Sequence, residues 1–141
     1  MGTIDTGTDD LLATLENGVA VITLNRPEAR NAMSGPMNAA LQQCLSDFEE
    51  DPEVRVIVMT GAGKGFCAGG DVKGMNAANS DANGRSATLD ERIASQRVNQ
   101  RATSGKLFKM PKPTIAALPG AAAGAGLSLA LACDLRVMAS N

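Results

Sequence analysis

The sequence predicts an α/β fold with parallel strand pairs, on three observations. β-branched apolar runs alternate with stretches of helical periodicity. Two of those runs lead directly into glycine-dense loops, beginning at Gly61 and Pro119. The chain has 141 residues, 44% of them hydrophobic and 20% charged, the balance of an ordinary globular domain with a real core.

Residues 11–25 alternate about Asn17-Gly18, a hairpin signal. Ala20, Ile22 and Leu24 share one face and Val19, Val21 and Thr23 the other. Both faces are largely apolar, so this strand is expected to be covered on both sides. Arg26-Pro27 ends it. Ser34 suits the N-cap of a helix running to about Glu50, with Met37, Leu41, Leu45 and Phe48 at helical spacing. Asp51-Pro52 stops that helix, and residues 54–60 read as a buried strand. Residues 77–86 are small and polar and are expected to form a mobile loop. A helix with a weak apolar face follows over about 90–109, a strand over 114–118, a helix over about 124–133 and a strand over 135–138. Neither an internal repeat nor a second domain is visible.

Composition excludes several chemistries. The chain has no histidine, so it cannot build a Ser-His-Asp or Cys-His catalytic arrangement from its own residues. Cys44, Cys67 and Cys133 are too widely spaced for a zinc motif. Their odd number argues against a disulfide framework and for a reducing, cytoplasmic setting. With three Phe, no Tyr, no Trp and a net charge of −2, the chain offers neither stacking platforms nor a basic footprint for nucleic acid. The uncharged stretch 113–133 is broken by Pro119, Gly120, Gly124 and Gly126, which disfavours a membrane span. No signal peptide is recognised at the start.

The chemistry is expected in the two glycine-rich loops, 61–71 and 119–126. Glycine lets backbone amides approach a ligand, and a helix start adds unpaired N–H donors. In open α/β sheets, loops at the carboxyl ends of strands gather around one crevice. Two amides meeting there would form an oxyanion hole. Neither loop carries the Gly-Lys-Ser/Thr of a phosphate-binding loop or a dinucleotide fingerprint. Gly126-Leu-Ser128 only loosely echoes a nucleophile elbow, and no histidine could activate that serine. On spacing alone, tight structural turns explain both loops equally well.

Asn25-Arg-Pro-Glu-Ala-Arg-Asn-Ala32, Phe66-Cys-Ala-Gly-Gly-Asp-Val-Lys-Gly-Met75, Pro111-Lys-Pro-Thr-Ile-Ala-Ala-Leu-Pro-Gly120, Gly124-Ala-Gly126 and Ala132-Cys-Asp134 occur in that order. Together they resemble the successive signature segments of the enoyl-CoA hydratase/isomerase (crotonase) family, from its N-terminal half. The resemblance implies a spiral of ββα units, here expected to stop before the C-terminal helical trimerisation region. It implies an acyl-CoA thioester substrate, no cofactor beyond the coenzyme A of that substrate, and a homotrimer or dimer of trimers at full length. It places the oxyanion N–H donors at Gly70 and Ala125. Coenzyme A contacts would fall on Ala29, Arg30, Ala32, Ala68, Asp71, Val72 and Lys73, and Arg26, Arg30, Lys64 and Lys73 are candidates to meet the phosphates. The family's first hydratase glutamate corresponds to Ser128, a departure that favours an isomerase-like or non-catalytic relative. Asp71 and Asp134 match positions that hold loops rather than move protons.

Overall fold

The computed structural model describes residues 2–71 and 85–140. Six strands form one sheet in sequence order: β1 (Gly2–Ile4), β2 (Leu11–Glu16), β3 (Val19–Leu24), β4 (Val56–Gly61), β5 (Thr114–Leu118) and β6 (Leu135–Met138). β1, β2 and β3 are antiparallel neighbours, whereas β3 through β6 run parallel. The β2–β3 hairpin turns on Asn17 and Gly18, at φ 51° and 84°, a pair of positive values that suits Asn-Gly.

Between successive parallel strands the chain follows one path three times. After β3, Met33 makes a short bridge and leads into α1 (Gly35–Glu50). Beyond β4, Cys67 and Gly70 make bridges, and α2 (Leu89–Ala102) and α3 (Ser104–Lys109) follow later in the chain. After β5, Ala122 bridges and α4 (Ala125–Ala132) follows. These bridges, Met33 with Gly70 and Cys67 with Ala122, stack the three connections side by side at the carboxyl ends of β3, β4 and β5. This is the turn of the crotonase spiral that the signature segments imply.

Sequence periodicity locates the core well. Met37, Leu41, Leu45 and Phe48 of α1 are buried in one cluster with Leu11, Ile22, Leu24, Ile57, Met59, Ala116 and Leu129. Full burial of each large aliphatic side chain is worth roughly 1.5–3 kcal/mol. The Ser34 Oγ accepts the Met37 N–H at 3.1 Å, which caps α1 as expected. Lys112 closes the other end of α1 by donating from Nζ to the Phe48 and Asp51 carbonyls.

Four expectations need correction or completion. Ala20, Ile22 and Leu24 are fully buried, but Val19, Val21 and Thr23 are only half-buried, so β3 is not fully covered on both sides. The single helix expected over 90–109 is two, broken at Thr103, whose φ of −114° and ψ of −92° lie outside the helical region. β1 lies in a polar segment with no apolar alternation to announce it. Of the expected mobile loop, residues 77–84 lie outside the described residues, as do Val72 and Lys73.

Candidate functional site

Residues 66–71 run between two other segments, and their hydrogen bonds fix how each peptide faces. On one side, the Phe66 and Cys67 amides donate to the Ala121 carbonyl at 3.0 and 3.3 Å, and Cys67 accepts from the Ala123 amide at 2.9 Å. On the other, the Ala68 amide donates to the Arg30 carbonyl at 3.0 Å. On that same side, Met33 donates to the Gly69 carbonyl at 2.8 Å and accepts from the Asp71 amide at 3.4 Å.

The orientation of the Gly70 amide follows from these bonds. No peptide in the described chain is cis, and a trans peptide points its C=O and N–H in opposite directions. Met33 holds the carbonyl of the 69–70 peptide, so the Gly70 N–H faces away from Met33, toward the 121–125 side. Gly69 makes this possible at φ 104°, a value that side chains rarely adopt.

Ala125 is the first residue of α4, where amides have no partner within the helix. The Gly124 carbonyl accepts the Ser128 amide at 3.1 Å, along the helix, so the Ala125 N–H points out of its N-terminus. Gly124 turns the chain into that helix at φ 52° and ψ −125°. Among the described residues, neither the Gly70 nor the Ala125 amide donates to a protein acceptor. Both residues are exposed.

Glycines bring the two segments into backbone contact. A Cβ built on Gly69 would lie 3.1 Å from the Ala123 oxygen and 3.5 Å from the Ala125 nitrogen. One built on Gly124 would lie 3.7 Å from the Gly69 Cα. A Cβ on Gly126 would overlap the Cys67 carbonyl oxygen and sit 2.5 Å from the Cys67 Cβ. The expected juxtaposition of the two loops is therefore present, and small residues are its condition.

The remaining expected contacts divide. Ala29 and Ala32 are half-buried, while Arg30, Lys64 and Ala68 are exposed at the rim of these loops. Arg30 sits in a left-handed conformation at φ 54°. Arg26 is corrected: it is not a free cation for a phosphate. Its Nη1 donates to the Ala32 carbonyl at 2.7 Å and to Asp71 Oδ2 at 3.2 Å, and its Nε lies 3.8 Å from Asp10 Oδ2. Asp71 is thus a clamp for its loop. Asp134 is structural too: its Oδ2 accepts from the Thr114 amide at 2.9 Å, and its own amide donates to Thr114 Oγ1 at 2.9 Å.

Ser128 is exposed one turn into α4, and its hydroxyl donates back to the Gly124 carbonyl at 3.3 Å. Cys67, within the first loop, is fully buried. Burial raises its thiol pKa, with partial relief from the Gly69 backbone, and its Sγ donates to the Asn31 carbonyl at 3.1 Å. Sequence reasoning missed Asn31 and Met33, which hold this loop from behind. The available signal was an Asn four residues after Arg26-Pro27, the non-glycine residue type that best tolerates left-handed backbone. No cluster of metal-binding side chains occurs among the described residues.

Comparison with known proteins bears on this geometry. The sequence profile of the Enoyl-CoA hydratase/isomerase family matches residues 14–141. The chain is 42% identical over 134 residues to the 1,2-epoxyphenylacetyl-CoA isomerase of Escherichia coli K12, covering 93% of this chain and 48% of that protein. It is 41% identical over 128 residues to the (E)-benzylidenesuccinyl-CoA hydratase of Thauera aromatica, covering 90% of this chain and 46% of the relative. The solved structure of Pseudomonas aeruginosa PA4980 superposes with a TM-score of 0.79 at 40% identity, over 94% of this chain and 53% of that one. The chain spans about half the length of the curated relatives it matches. The family profile, the relatives and the shared spiral agree: this chain belongs to the enoyl-CoA hydratase/isomerase family.

Proposed function

We propose that the chain is the thioester-binding part of an acyl-CoA-processing enzyme, and that the amides of Gly70 and Ala125 stabilise an enolate-like oxygen. The observation that carries this is the pair of N–H groups, without a protein acceptor among the described residues, on two segments in backbone contact. A thioester carbonyl gains negative charge when its α-proton leaves or when a nucleophile adds at the β-carbon. Donors already aimed at that oxygen stabilise the transition state more than the ground state. Each donor is typically worth roughly 10²–10³ in rate.

In this reading Ala29, Arg30, Ala32, Ala68, Val72 and Lys73 hold the coenzyme A moiety, with Arg30 and Lys64 beside its phosphates. Asp71 serves the site by anchoring the loop to Arg26. No cofactor is needed beyond the coenzyme A carried by the substrate. A homotrimer or dimer of trimers at full length and a cytoplasmic location complete the proposal. The three cysteines, free and buried, suit a reducing compartment.

A second reading rests on Ser128. Its hydroxyl is turned onto the Gly124 carbonyl, so the position of the first hydratase glutamate holds neither a carboxylate nor a free base. That favours binding, or proton shuttling by another group, over two-carboxylate hydration. The relatives' names include both an isomerase and a hydratase, so membership alone does not choose.

Calorimetric titration with butyryl-CoA and with coenzyme A, beside assays of crotonyl-CoA hydration and of double-bond migration in a 3-enoyl-CoA, separates the readings. Turnover of either kind supports enolate stabilisation; isomerisation without hydration, or binding without turnover, supports the second reading. Absence of heat with every thioester refutes both.

A further inference from the structure

Asn31 is a fully buried polar side chain whose hydrogen-bonding groups all serve the backbone. Its Oδ1 accepts the Arg26 amide at 2.8 Å, and its Nδ2 donates to the Ala62 and Gly65 carbonyls at 2.9 and 3.0 Å. Its own amide donates to the Arg26 carbonyl at 2.8 Å, and its φ is 56°. One side chain thus closes the turn 26–31 and fastens it to the start of the glycine-rich loop. The next few residues do the holding. The Arg30 carbonyl takes the Ala68 amide, Met33 takes both the Gly69 carbonyl and the Asp71 amide, and Arg26 reaches Asp71.

From this chain of contacts we propose that Asn31, with Arg26 as its partner, is a positioning residue for the first oxyanion donor, which it aims without touching substrate. The inference rests on the reading of Gly70 as a donor and adds the device that sets its direction. The Gly70 N–H points where it does because Met33 holds the other end of the same peptide. Met33 sits where it does because the left-handed turn through Arg30 and Asn31 delivers it there. Without the Asn31 amide, the Arg26 N–H and two loop carbonyls lose their buried partner, and the turn is free to relax. A donor displaced by about an ångström loses most of its effect.

The test is the absorption band of bound cinnamoyl-CoA, which moves to longer wavelength as hydrogen bonds polarise the conjugated thioester carbonyl. Read at saturating protein, the band position does not depend on affinity, so a residue that is merely structural leaves it unchanged in folded molecules. Asn31→Gly removes the amide and keeps the positive φ accessible. The wild-type chain is expected to shift the band, and Asn31→Gly to retain about half of that shift or less, with Arg26→Lys intermediate. A full wild-type shift in Asn31→Gly overturns the positioning role and leaves the donor assignment standing. If Asn31→Gly does not fold, a full shift in Asn31→Ser, which also lacks the amide that reaches the Ala62 and Gly65 carbonyls, overturns it instead. No shift in the wild-type chain itself overturns the donor assignment, and the positioning role with it.

Discussion

Gly126→Ala is the most informative single substitution, because two ordinary effects oppose each other there. Alanine in place of a helical glycine normally stabilises by about 0.5–1 kcal/mol, through a smaller loss of backbone entropy. At this position the new Cβ would overlap the Cys67 carbonyl oxygen, lie 2.5 Å from the Cys67 Cβ and 2.9 Å from its carbonyl carbon. Backbone atoms cannot rotate away, so the start of α4 must retreat by roughly half an ångström or more, an overpacking that costs about 1–3 kcal/mol. The same retreat strains the bond from the Ala123 amide to the Cys67 carbonyl. The net loss is about 0.5–2 kcal/mol, a fall in Tm on the order of 2–8 °C for a chain of this size. Because Ala125 moves with the helix start, affinity for butyryl-CoA is expected to fall more than affinity for coenzyme A alone. Thermal unfolding by circular dichroism and parallel calorimetric titrations measure both effects. A Tm equal to or above wild type would refute the claim that α4 is seated on Cys67. Full rescue by a second change, Cys67→Gly, would show the collision to be with the side chain rather than the carbonyl.

Three further outcomes are expected. Asp134→Ala should lower stability by about 1–3 kcal/mol in urea unfolding, because the Thr114 amide and hydroxyl lose their shared acceptor. Ser34→Ala should cost about 0.5–2 kcal/mol by the same measurement, from loss of the α1 cap. The third concerns alkaline pH. Burial pushes Cys44 and Cys133 up to about 11 from 9.0, with the nearby Asp47 adding to the shift at Cys44. The folded chain therefore binds these protons more tightly than the unfolded one. Their stabilising effect is complete below pH 9.0 and is lost as pH rises toward about 11. Urea midpoints should fall across that window, and a thiol reagent at neutral pH should label both cysteines only as the chain unfolds. Rapid labelling of the native chain would contradict this.

Regular elements were legible where side-chain pattern alone decides them. The 3.6-residue spacing of Met37, Leu41, Leu45 and Phe48, bounded by Ser34 and Asp51-Pro52, gives α1 to within a residue. Asn17-Gly18 gives the hairpin. What escaped depends on partners distant in sequence. β1 forms because β2 offers it an edge, from Gly2 opposite Leu15 to Ile4 opposite Ala13, and its own residues carry no alternation. The break at Thr103 is the exception, since Thr103-Ser104-Gly105 are weak helix formers that the expectation of one helix passed over. The three-fold repetition of strand, bridge and helix is a repetition of backbone path, written in unrelated residues. At the site, glycine density announced the loops. The tasks of Arg26 and Asn31 stayed hidden because an arginine near a supposed phosphate and an asparagine in a turn look the same whether they face ligand or protein.

An amide hydrogen belongs to the peptide unit, so no exchange of the side chain at 70 or 125 short of proline can delete it. Sensitivity to mutation should therefore be inverted. Substitution at 125, where the side chain is exposed, should be mild, whereas positions 31, 69 and 126 should be intolerant although none of them donates to the substrate. A survey of variants that scored residues by their closeness to the thioester would rank them in the wrong order. The steering lies at the far end of the lever, where Met33 grips a carbonyl oxygen.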